Sequence, residues 1–144
     1  MTILFCDIAE FDTIIQMFTG KELCEWLNNI YQSFDRLCEK HGLQKIETVG
    51  NTYMACGGLK QNEKKIDLKI VNRHHSVRVA DLSINILNFI TKQKLKDGSP
   101  VKVKIGIHSG KVISGVIGEI KPQFSLIGNT VNKTSRVCSK CQDN

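Results

Sequence analysis

The stretch Gln-Lys-Ile-Glu-Thr-Val-Gly-Asn-Thr-Tyr-Met-Ala-Cys at residues 44–56 contains two strand-like segments around a central glycine. Residues 44–49 and 52–56 have the β-branched, aromatic and apolar content that is typical of strands. Gly50 and Asn51 separate them, and such a pair suits the two-residue turn of a β-hairpin. The stretch therefore predicts two antiparallel strands with Asn51 on the turn.

The residues before this hairpin predict a buried strand and a long helix. Residues 2–6 form a short apolar run, and Asp7 follows as a carboxylate at the end of the expected strand. In residues 21–40 apolar side chains recur every three or four positions, which predicts a helix with one apolar face. Gly42 can end that helix because glycine readily adopts the left-handed conformation of a helix terminus.

After the hairpin, residues 60–75 are polar, basic and without periodicity, which indicates a loop. A second amphipathic helix is expected from Val77 to about residue 91 or 95. Residues 101–108 then alternate between apolar and polar side chains, which predicts a strand with one covered face.

The last part of the chain predicts one more strand and one more helix. Residues 112–117 form the strand, and residues 118–124 are expected to be an irregular arm. Asn129 is the expected N-cap of a short helix that runs to about Cys138.

This order of elements predicts an α+β fold of the ferredoxin-like split βαβ kind, with helices packed on one face of a mostly antiparallel sheet. Because 144 residues suit one domain, we expect residues 1–144 to form a single domain. The chain stops directly after a helix without a closing strand, so we expect a C-terminally incomplete fragment of a longer protein.

Composition and charge distribution argue against nucleic-acid binding and against direct membrane contact. The net charge is +6, but the lysines are scattered or lie in the predicted 60–75 loop, and aromatic residues are only 6% of the chain. That pattern gives little support to a base-stacking surface for nucleic acid or to direct membrane contact. A ferredoxin-like RNA-binding domain shares the predicted architecture but needs exposed aromatic pairs on its strands. An anionic small molecule fits the charge better.

The six cysteines lack the regular spacing of a disulfide framework, so we expect thiols in a reducing compartment. Cys138 and Cys141 have the C-x-x-C spacing of a zinc or redox site. No second pair or nearby histidine completes a tetrahedral ligand set, which favours ordinary thiols.

Four motifs in order along the chain resemble class III nucleotidyl cyclases. They are Thr-Ile-Leu-Phe-Cys-Asp-Ile at 2–8, Lys-Ile-Glu-Thr-Val-Gly-Asn-Thr-Tyr-Met-Ala at 45–55, Lys-Ile-Gly-Ile-His-Ser-Gly at 104–110 and Gly-Asn-Thr-Val-Asn-Lys-Thr-Ser-Arg at 128–136. Within that family the chain looks most like the second catalytic half of two-part cyclases. The subgroup it resembles most is the protist membrane guanylyl cyclases, which carry a P-type ATPase-like region.

The resemblance implies conversion of a nucleoside triphosphate to a 3′,5′-cyclic monophosphate and pyrophosphate, with two divalent ions, Mg²⁺ or Mn²⁺, in a site shared by two domains. Two aspartates of the family hold these ions, and Asp7 matches one of them. Asn51 stands where the other would be. Because Mg²⁺ prefers hard anionic oxygens, we expect the partner domain to supply most of the metal site.

The same resemblance assigns residues to the nucleotide. Glu47 matches the position where guanylyl cyclases have Glu, and a carboxylate can accept from the N1–H and 2-amino groups of guanine. Ser125 matches the second base-reading position, where Cys or Asp is usual, and Lys104 is assigned to the substrate. Asn132 is expected to position the ribose, and Arg136 to meet the phosphate charge that builds during attack by the 3′-hydroxyl.

Together these assignments predict a guanylyl cyclase half-domain that binds GTP and is inactive alone. Its expected partner is a second cyclase domain in a pseudo-heterodimer, within the same parent chain. We expect a cytoplasmic domain of a multi-pass membrane protein. Two alternatives stay open: a catalytically silent regulatory or dimerisation module, and an adenylyl cyclase half-domain.

Overall fold

The computed structural model describes residues 1–64 and 66–142, and its central feature is a four-stranded antiparallel sheet in the order β2-β3-β1-β4. Strands β5 and β6 form a separate two-stranded hairpin. Lys65 of the predicted loop, and Asp143 and Asn144, lie outside the described residues. The elements in chain order are β1 (Thr2–Ile8), α1 (Phe11–Met17), α2 (Gly20–Lys40), β2 (Gln44–Val49), β3 (Thr52–Gly57), α3 (Lys60–Glu63), α4 (Leu68–Val71), α5 (His75–Ile90), β4 (Val103–Ser109), β5 (Ile113–Ile117), β6 (Gln123–Ile127) and α6 (Asn129–Ser139).

Helix α2 begins and ends where its sequence supplies the capping groups. The N–H of Thr19 donates to the Glu22 carboxylate at 2.8 Å, and the N–H of Glu22 donates to the Thr19 hydroxyl at 3.4 Å, which together form a capping box. At the other end Gly42 adopts a φ of 61°, so the predicted glycine terminus is confirmed.

Two apolar clusters cover the two faces of the sheet. Side chains of β1 alternate, so Leu4 and Cys6 join a cluster with α2 and α5, whereas Ile3 and Phe5 join a smaller cluster with β6 and α6. The predicted α+β class with helices on an antiparallel sheet is confirmed. The expectation that the helices share one face is wrong, because α6 covers the face opposite α2 and α5.

The approach of α6 to the sheet depends on Gly106 of β4. A Cβ atom at this position would collide with the main chain of Cys138 in α6. Glycine therefore lets the helix backbone lie directly on the strand, and this contact fixes where α6 lies relative to the sheet.

The predicted loop at 60–75 is wrong in part, because it contains the short helices α3 and α4. Arg78 of α5 is buried and ties the segment to the domain. Its guanidinium donates to the carbonyl of Gly42 at 2.7 Å, to that of Arg73 at 3.0 Å and to the Glu63 carboxylate at 2.5 and 2.6 Å. Gly42 and Glu63 lie 36 and 15 residues from Arg78 in sequence, so local periodicity does not reveal these contacts.

Three further differences concern which helices and strands form and where they begin. Helix α1 was not predicted, and the expected irregular arm at 118–124 runs into strand β6, which pairs with β5. The prediction that Asn129 caps α6 is wrong, because the N-cap is Gly128, which has no side chain to make a capping bond, and Asn129 is the first helical residue. No helix of the described chain combines the length and apolar character needed to cross a bilayer.

Candidate active site

A cleft of about 620 Å³ opens where the end of β1 meets the hairpin turn and the start of α1. Asp7, Asn51 and Lys104 all line it, so the structure brings these three sequence-predicted residues together. Asp7 and Lys104 are cross-strand partners on β1 and β4 and share one face of the sheet. The cleft therefore pairs a half-buried carboxylate with a lysine.

The polar groups around Asp7 and Asn51 already bond to one another. The Thr52 hydroxyl donates to Oδ1 of Asp7 at 2.7 Å. Nδ2 of Asn51 donates to the main-chain carbonyl of Ile8 at 2.9 Å, and the N–H of Ile8 donates to the Asn51 carbonyl at 2.9 Å. Two bonds thus fasten the hairpin turn to the end of β1.

These residues do not fit a site for two divalent ions. Asp7 is one carboxylate where Mg²⁺ would need several hard oxygens in near-octahedral geometry, and Asn51 directs an N–H group at the Ile8 carbonyl. Within residues 1–64 and 66–142 no group of three His, Cys, Asp or Glu side chains is placed to hold a metal. The residues present therefore differ from a two-ion site at Asn51, where the family motif has an aspartate.

Glu10 at the rim of the same cleft is held in an unusual backbone conformation. Its φ of 54° and ψ of 34° place it in the left-handed region, where it precedes α1. Its carboxylate lies 3.4 Å from Nζ of Lys102. Non-glycine residues in this region are uncommon and cluster at functional sites, so Glu10 marks the cleft independently of the motif residues.

Glu47 lies on β2 with its side chain exposed, opposite Met54 of β3. Met54 belongs to the smaller apolar cluster, so Glu47 is on the α6 side of the sheet. Ser125 lies on β6 opposite Gly115, and its chain neighbours Phe124 and Leu126 pack into that same cluster. By strand alternation Ser125 points to the other face of the hairpin. Strands β2 and β6 contact each other, so the two predicted base-reading residues lie on adjoining strands.

The outward face of the β5–β6 hairpin is largely apolar. Cross-strand pairing places Ile113 beside Ile127, and Ile117 beside Gln123, with Ser125 between these pairs. All three isoleucines are more than half exposed. Ser125 therefore lies in the middle of an exposed apolar strand surface.

Asn132 and Arg136 lie one turn apart on the exposed side of α6. The opposite side of the helix is buried through Thr130, Thr134 and Cys138. The Thr130 hydroxyl donates to the Lys111 carbonyl at 2.8 Å, and the Cys138 thiol donates to the Lys104 carbonyl at 3.2 Å. The helix is thus anchored to β4 and to the segment that follows it, and it presents the amide and the guanidinium away from the sheet.

Cys138, which bonds to the strand beside the cleft, is a buried thiol. Burial, together with the negative charge of Asp7, raises the pKa of Cys138 to about 12, so it stays protonated. Cys141 is exposed whereas Cys138 is buried. Within the described part of the chain, neither thiol belongs to a group of three side chains that could hold a metal.

Two residues that the motifs do not single out support the turn that carries Asn51. Thr52 bonds to Asp7, and the hydroxyl of Tyr31 on α2 donates to the Gly50 carbonyl at 2.9 Å. Pairing of β1 with β3 could have predicted Thr52, because it lies opposite Asp7 in the register. Tyr31 lies 19 residues before Gly50, and no local pattern indicates their contact.

Comparison with known proteins identifies the family to which these motifs belong. The family model of the adenylate and guanylate cyclase catalytic domain matches residues 1–144. The chain is 37% identical over 139 residues to pig guanylyl cyclase C, with 95% of this chain covered. It is 34% identical over 139 residues to the membrane guanylyl cyclase of Dictyostelium discoideum, with 96% covered. It spans only 12% and 8% of the length of these two relatives.

Solved structures agree with this assignment. The guanylate cyclase domain of RhGC from Catenaria anguillulae, solved in complex with GTP, superimposes with a TM-score of 0.85 at 29% identity. The match covers 99% of this chain and 73% of that one. The adenylyl cyclase CyaB from P. aeruginosa has the same fold, with a TM-score of 0.78 at 22% identity over 98% of this chain and 71% of that one.

Proposed function

We propose, from the premise that this chain belongs to the adenylate and guanylate cyclase catalytic domain family, that it is a guanylyl cyclase half-domain. It would convert GTP to 3′,5′-cyclic GMP and pyrophosphate at a site shared with a second cyclase domain. The observation that carries the half-site proposal is the bond from the Asn51 amide to the Ile8 carbonyl, beside a single carboxylate at Asp7.

In this proposal the two divalent ions, Mg²⁺ or Mn²⁺, are held mainly by carboxylates of the partner domain. The family's metals would supply charge neutralisation at the phosphates. This chain would contribute the base, ribose and phosphate contacts, because those positions keep side chains suited to the task. A chain that lacks one metal carboxylate but keeps Glu47, Asn132 and Arg136 fits one half of an asymmetric pair better than a symmetric dimer.

Preference for GTP is supported by Glu47 and Ser125. The carboxylate can accept from the two donors on the guanine edge, and the serine hydroxyl can donate to O6. The guanylyl cyclase relatives and the RhGC domain solved with GTP point in the same direction. An adenylyl cyclase half-domain would need donors toward adenine's ring nitrogens at position 47.

For the reaction, Asn132 would hold the ribose so that its 3′-hydroxyl is in line with the α-phosphorus. The new 3′-oxygen to phosphorus bond forms while the bond to pyrophosphate breaks, and the hydroxyl proton passes to solvent water. Arg136 would meet the added phosphate charge with its planar, permanently charged fork. Lys104, which faces the Asp7 cleft, would contact the substrate there. Positioning and charge stabilisation dominate phosphoryl transfer, so none of these residues needs to act as a nucleophile.

The partner domain would cover the outward face of the β5–β6 hairpin. Ile113, Ile117 and Ile127 expose more than half of their surface there, and Ser125 lies among them. A partner on this face would bury the isoleucines and close the base pocket in one step.

We further propose that residues 1–144 are one catalytic domain in the cytoplasmic part of a multi-pass membrane protein, with its partner domain in the same parent chain. The match to membrane guanylyl cyclases and the far greater length of those relatives support this. A P-type ATPase-like region in the parent follows only from the resemblance to the protist enzymes.

The test is an assay of cyclic nucleotide formation from GTP and ATP. It compares the chain alone, a cyclase domain that carries both metal aspartates alone, and the two mixed, each with Mg²⁺ and with Mn²⁺. We expect turnover of GTP only in the mixture. Robust turnover by the chain alone would refute the half-site.

Base recognition is tested in the active mixture with the double variant Glu47→Lys and Ser125→Asp. We expect kcat/KM to move from GTP toward ATP, because sites that hydrogen-bond a substrate group discriminate strongly against analogues. An unchanged ratio would remove both residues from the base pocket.

A second candidate function is a catalytically silent module that binds nucleotide or a partner domain. The hairpin turn at Asn51 favours this silent function, because Asn51 bonds to Ile8 and supplies no second carboxylate for a metal. The same mixing assay separates the two functions, since a silent module would bind the partner without any turnover in the mixture.

A further inference from the structure

Strand β2 contains a bulge directly before Glu47. Lys45 pairs with Ala55, but the next pair along the strand is Glu47 with Met54, so Ile46 is the extra residue. In a regular strand, residues two apart share a face. Here the bulge puts Lys45 on the α2 face of the sheet, with Ala55, and Glu47 on the α6 face, with Met54.

The start of this bulge is held from the α2 face by three side chains. Nζ of Lys45 lies 2.9 Å from Oδ2 of Asp35 on α2. The other carboxylate oxygen of Asp35 accepts from the hydroxyl of the buried Tyr53 at 2.8 Å. The ammonium group also lies 5.5 Å from the centre of the Tyr53 ring. Lys45 is thus fixed to both the helix and the neighbouring strand.

The far end of β2 is fixed by the hairpin turn, where Tyr31 bonds to Gly50. Between these two anchors β2 is an edge strand of the sheet and is hydrogen-bonded to β3 on one side. Its residues from Glu47 to Val49 are exposed, so burial does little to specify their pairing. If Lys45 were released while the turn stayed fixed, Ile46 could pair with Ala55 and the bulge would disappear. Glu47 would keep Met54 as its partner, but it would lose the extra bend and twist that a bulge gives to its strand, and its carboxylate would be aimed differently.

We propose that the network of Asp35, Lys45 and Tyr53 maintains the β2 bulge and thereby aims Glu47, so that it determines base selectivity without touching the nucleotide. Asp35 and Lys45 are positioning residues in this sense. The part that concerns selectivity rests on the proposed function of Glu47, whereas the part that concerns the bulge does not.

The test compares Lys45→Met, which keeps an unbranched stem and removes the charge, with Lys45→Arg, which keeps the charge. Lys96→Met is the matched control. Lys96 also makes an ion pair, at 2.7 Å to Glu22, and also lies over a ring, 4.8 Å from the centre of Phe18, but it is remote from β2. Asp35→Asn tests the network from its other side.

Two readouts are measured for each variant. Cross-strand nuclear Overhauser contacts report whether residue 45 or Ile46 faces Ala55. The ratio of kcat/KM for GTP over ATP, measured with the complementary domain, reports selectivity. We expect Lys45→Met and Asp35→Asn to replace the contact of residue 45 by one from Ile46 and to lower the ratio by roughly tenfold or more. Lys45→Arg and Lys96→Met should change neither.

The outcomes are separable from those of the proposed function. If Glu47→Gln leaves the GTP over ATP ratio unchanged, the proposed role of Glu47 fails, and the cross-strand contacts alone decide on the bulge. If Glu47→Gln changes the ratio but Lys45→Met does not, the positioning role is overturned. Retention of the contact between residue 45 and Ala55 in Lys45→Met overturns the proposal whatever the activity.

Discussion

Asn51 donates from Nδ2 to the main-chain carbonyl of Ile8, 2.9 Å away, and its own carbonyl accepts from the N–H of Ile8 at the same distance. The amide side chain therefore does what a carboxylate cannot do at this position, which is to donate. A carboxylate oxygen of an aspartate in place of Nδ2 would face the main-chain oxygen of Ile8. Both atoms are acceptors, so the contact would be unfavourable unless a cation lay between them.

Replacement of Asn51 by Asp should therefore couple stability to metal. Without divalent ions we expect a loss of about 1–3 kcal/mol in the free energy of unfolding, because the Ile8 carbonyl loses its partner. Mn²⁺ should restore part of the loss, since a ligand that binds only the folded state stabilises it. Thermal melts with and without Mn²⁺ measure both effects. Asn51→Ala, which lacks the bond and the charge, is the control. An equal Mn²⁺ response in the unaltered chain would contradict this reading of the turn.

Arg136→Ala should separate catalysis from binding in the mixture with a complementary domain. If the guanidinium meets charge that grows toward the transition state, kcat should fall by roughly a hundred- to thousand-fold, or about 2.7–4 kcal/mol, while the nucleotide Kd changes little. Lys133→Ala, an exposed cation on the same helix, is the matched control for net charge. A fall in affinity without a fall in kcat would instead assign Arg136 to binding.

Stability should decrease as the pH falls below about 6.5, the usual pKa of histidine. Burial lowers the pKa of His41, which accepts from Nδ2 of Asn85 at 2.8 Å, and also that of His75, which bonds to Thr2. In the pH range between the folded and unfolded pKa values the unfolded chain binds more protons, so acid favours unfolding. Urea titrations from pH 7.5 to 5 measure the slope. The variants His41→Gln and His75→Gln should each flatten it, and an unaltered slope in both would contradict the assignment.

Thiol labelling should divide the cysteines into two groups. Cys24 and Cys141 are exposed, whereas the other four are buried. Burial raises the pKa of Cys38 and of Cys56 to about 12, and the thiolate is the reactive form. A chromogenic disulfide reagent should therefore label two thiols quickly in the folded chain and all six in denaturant. Rapid native labelling of Cys56 would show that β3 is accessible.

Local patterns were sufficient to predict most of the central sheet and the two long helices. The hairpin at 44–57 and helix α2 follow from alternation, from a three- to four-residue period and from glycines at the required turns. Strand β6 was missed because its pairing with β5 and its packing through Leu126 are nonlocal, while Gly118 and Pro122 in the preceding stretch indicate a turn.

For the candidate site, too, the sequence predicts local relationships and misses the nonlocal ones. Spacing alone could predict that Asn132 and Arg136 share a helix face, because residues four apart on a helix are neighbours. The closeness of Asp7, Asn51 and Lys104 depends on the order of strands in the sheet, which sequence periodicity does not determine. The bulge before Glu47 was not predicted at all, because a single extra residue in an edge strand leaves the composition of the segment unchanged.

Gly106 has no side chain of its own to offer a nucleotide, yet the height of α6 above the sheet depends on it. One added methyl group would push away the helix that carries Asn132 and Arg136, the proposed ribose and phosphate contacts, and a displacement of about 1 Å can reduce a rate roughly hundredfold. A cyclase domain of this kind could therefore lose its activity through inheritance of a single alanine while every residue of its signature motifs that faces the substrate stayed intact. In such a relative, inspection of the active-site residues alone would classify an inactive domain as active.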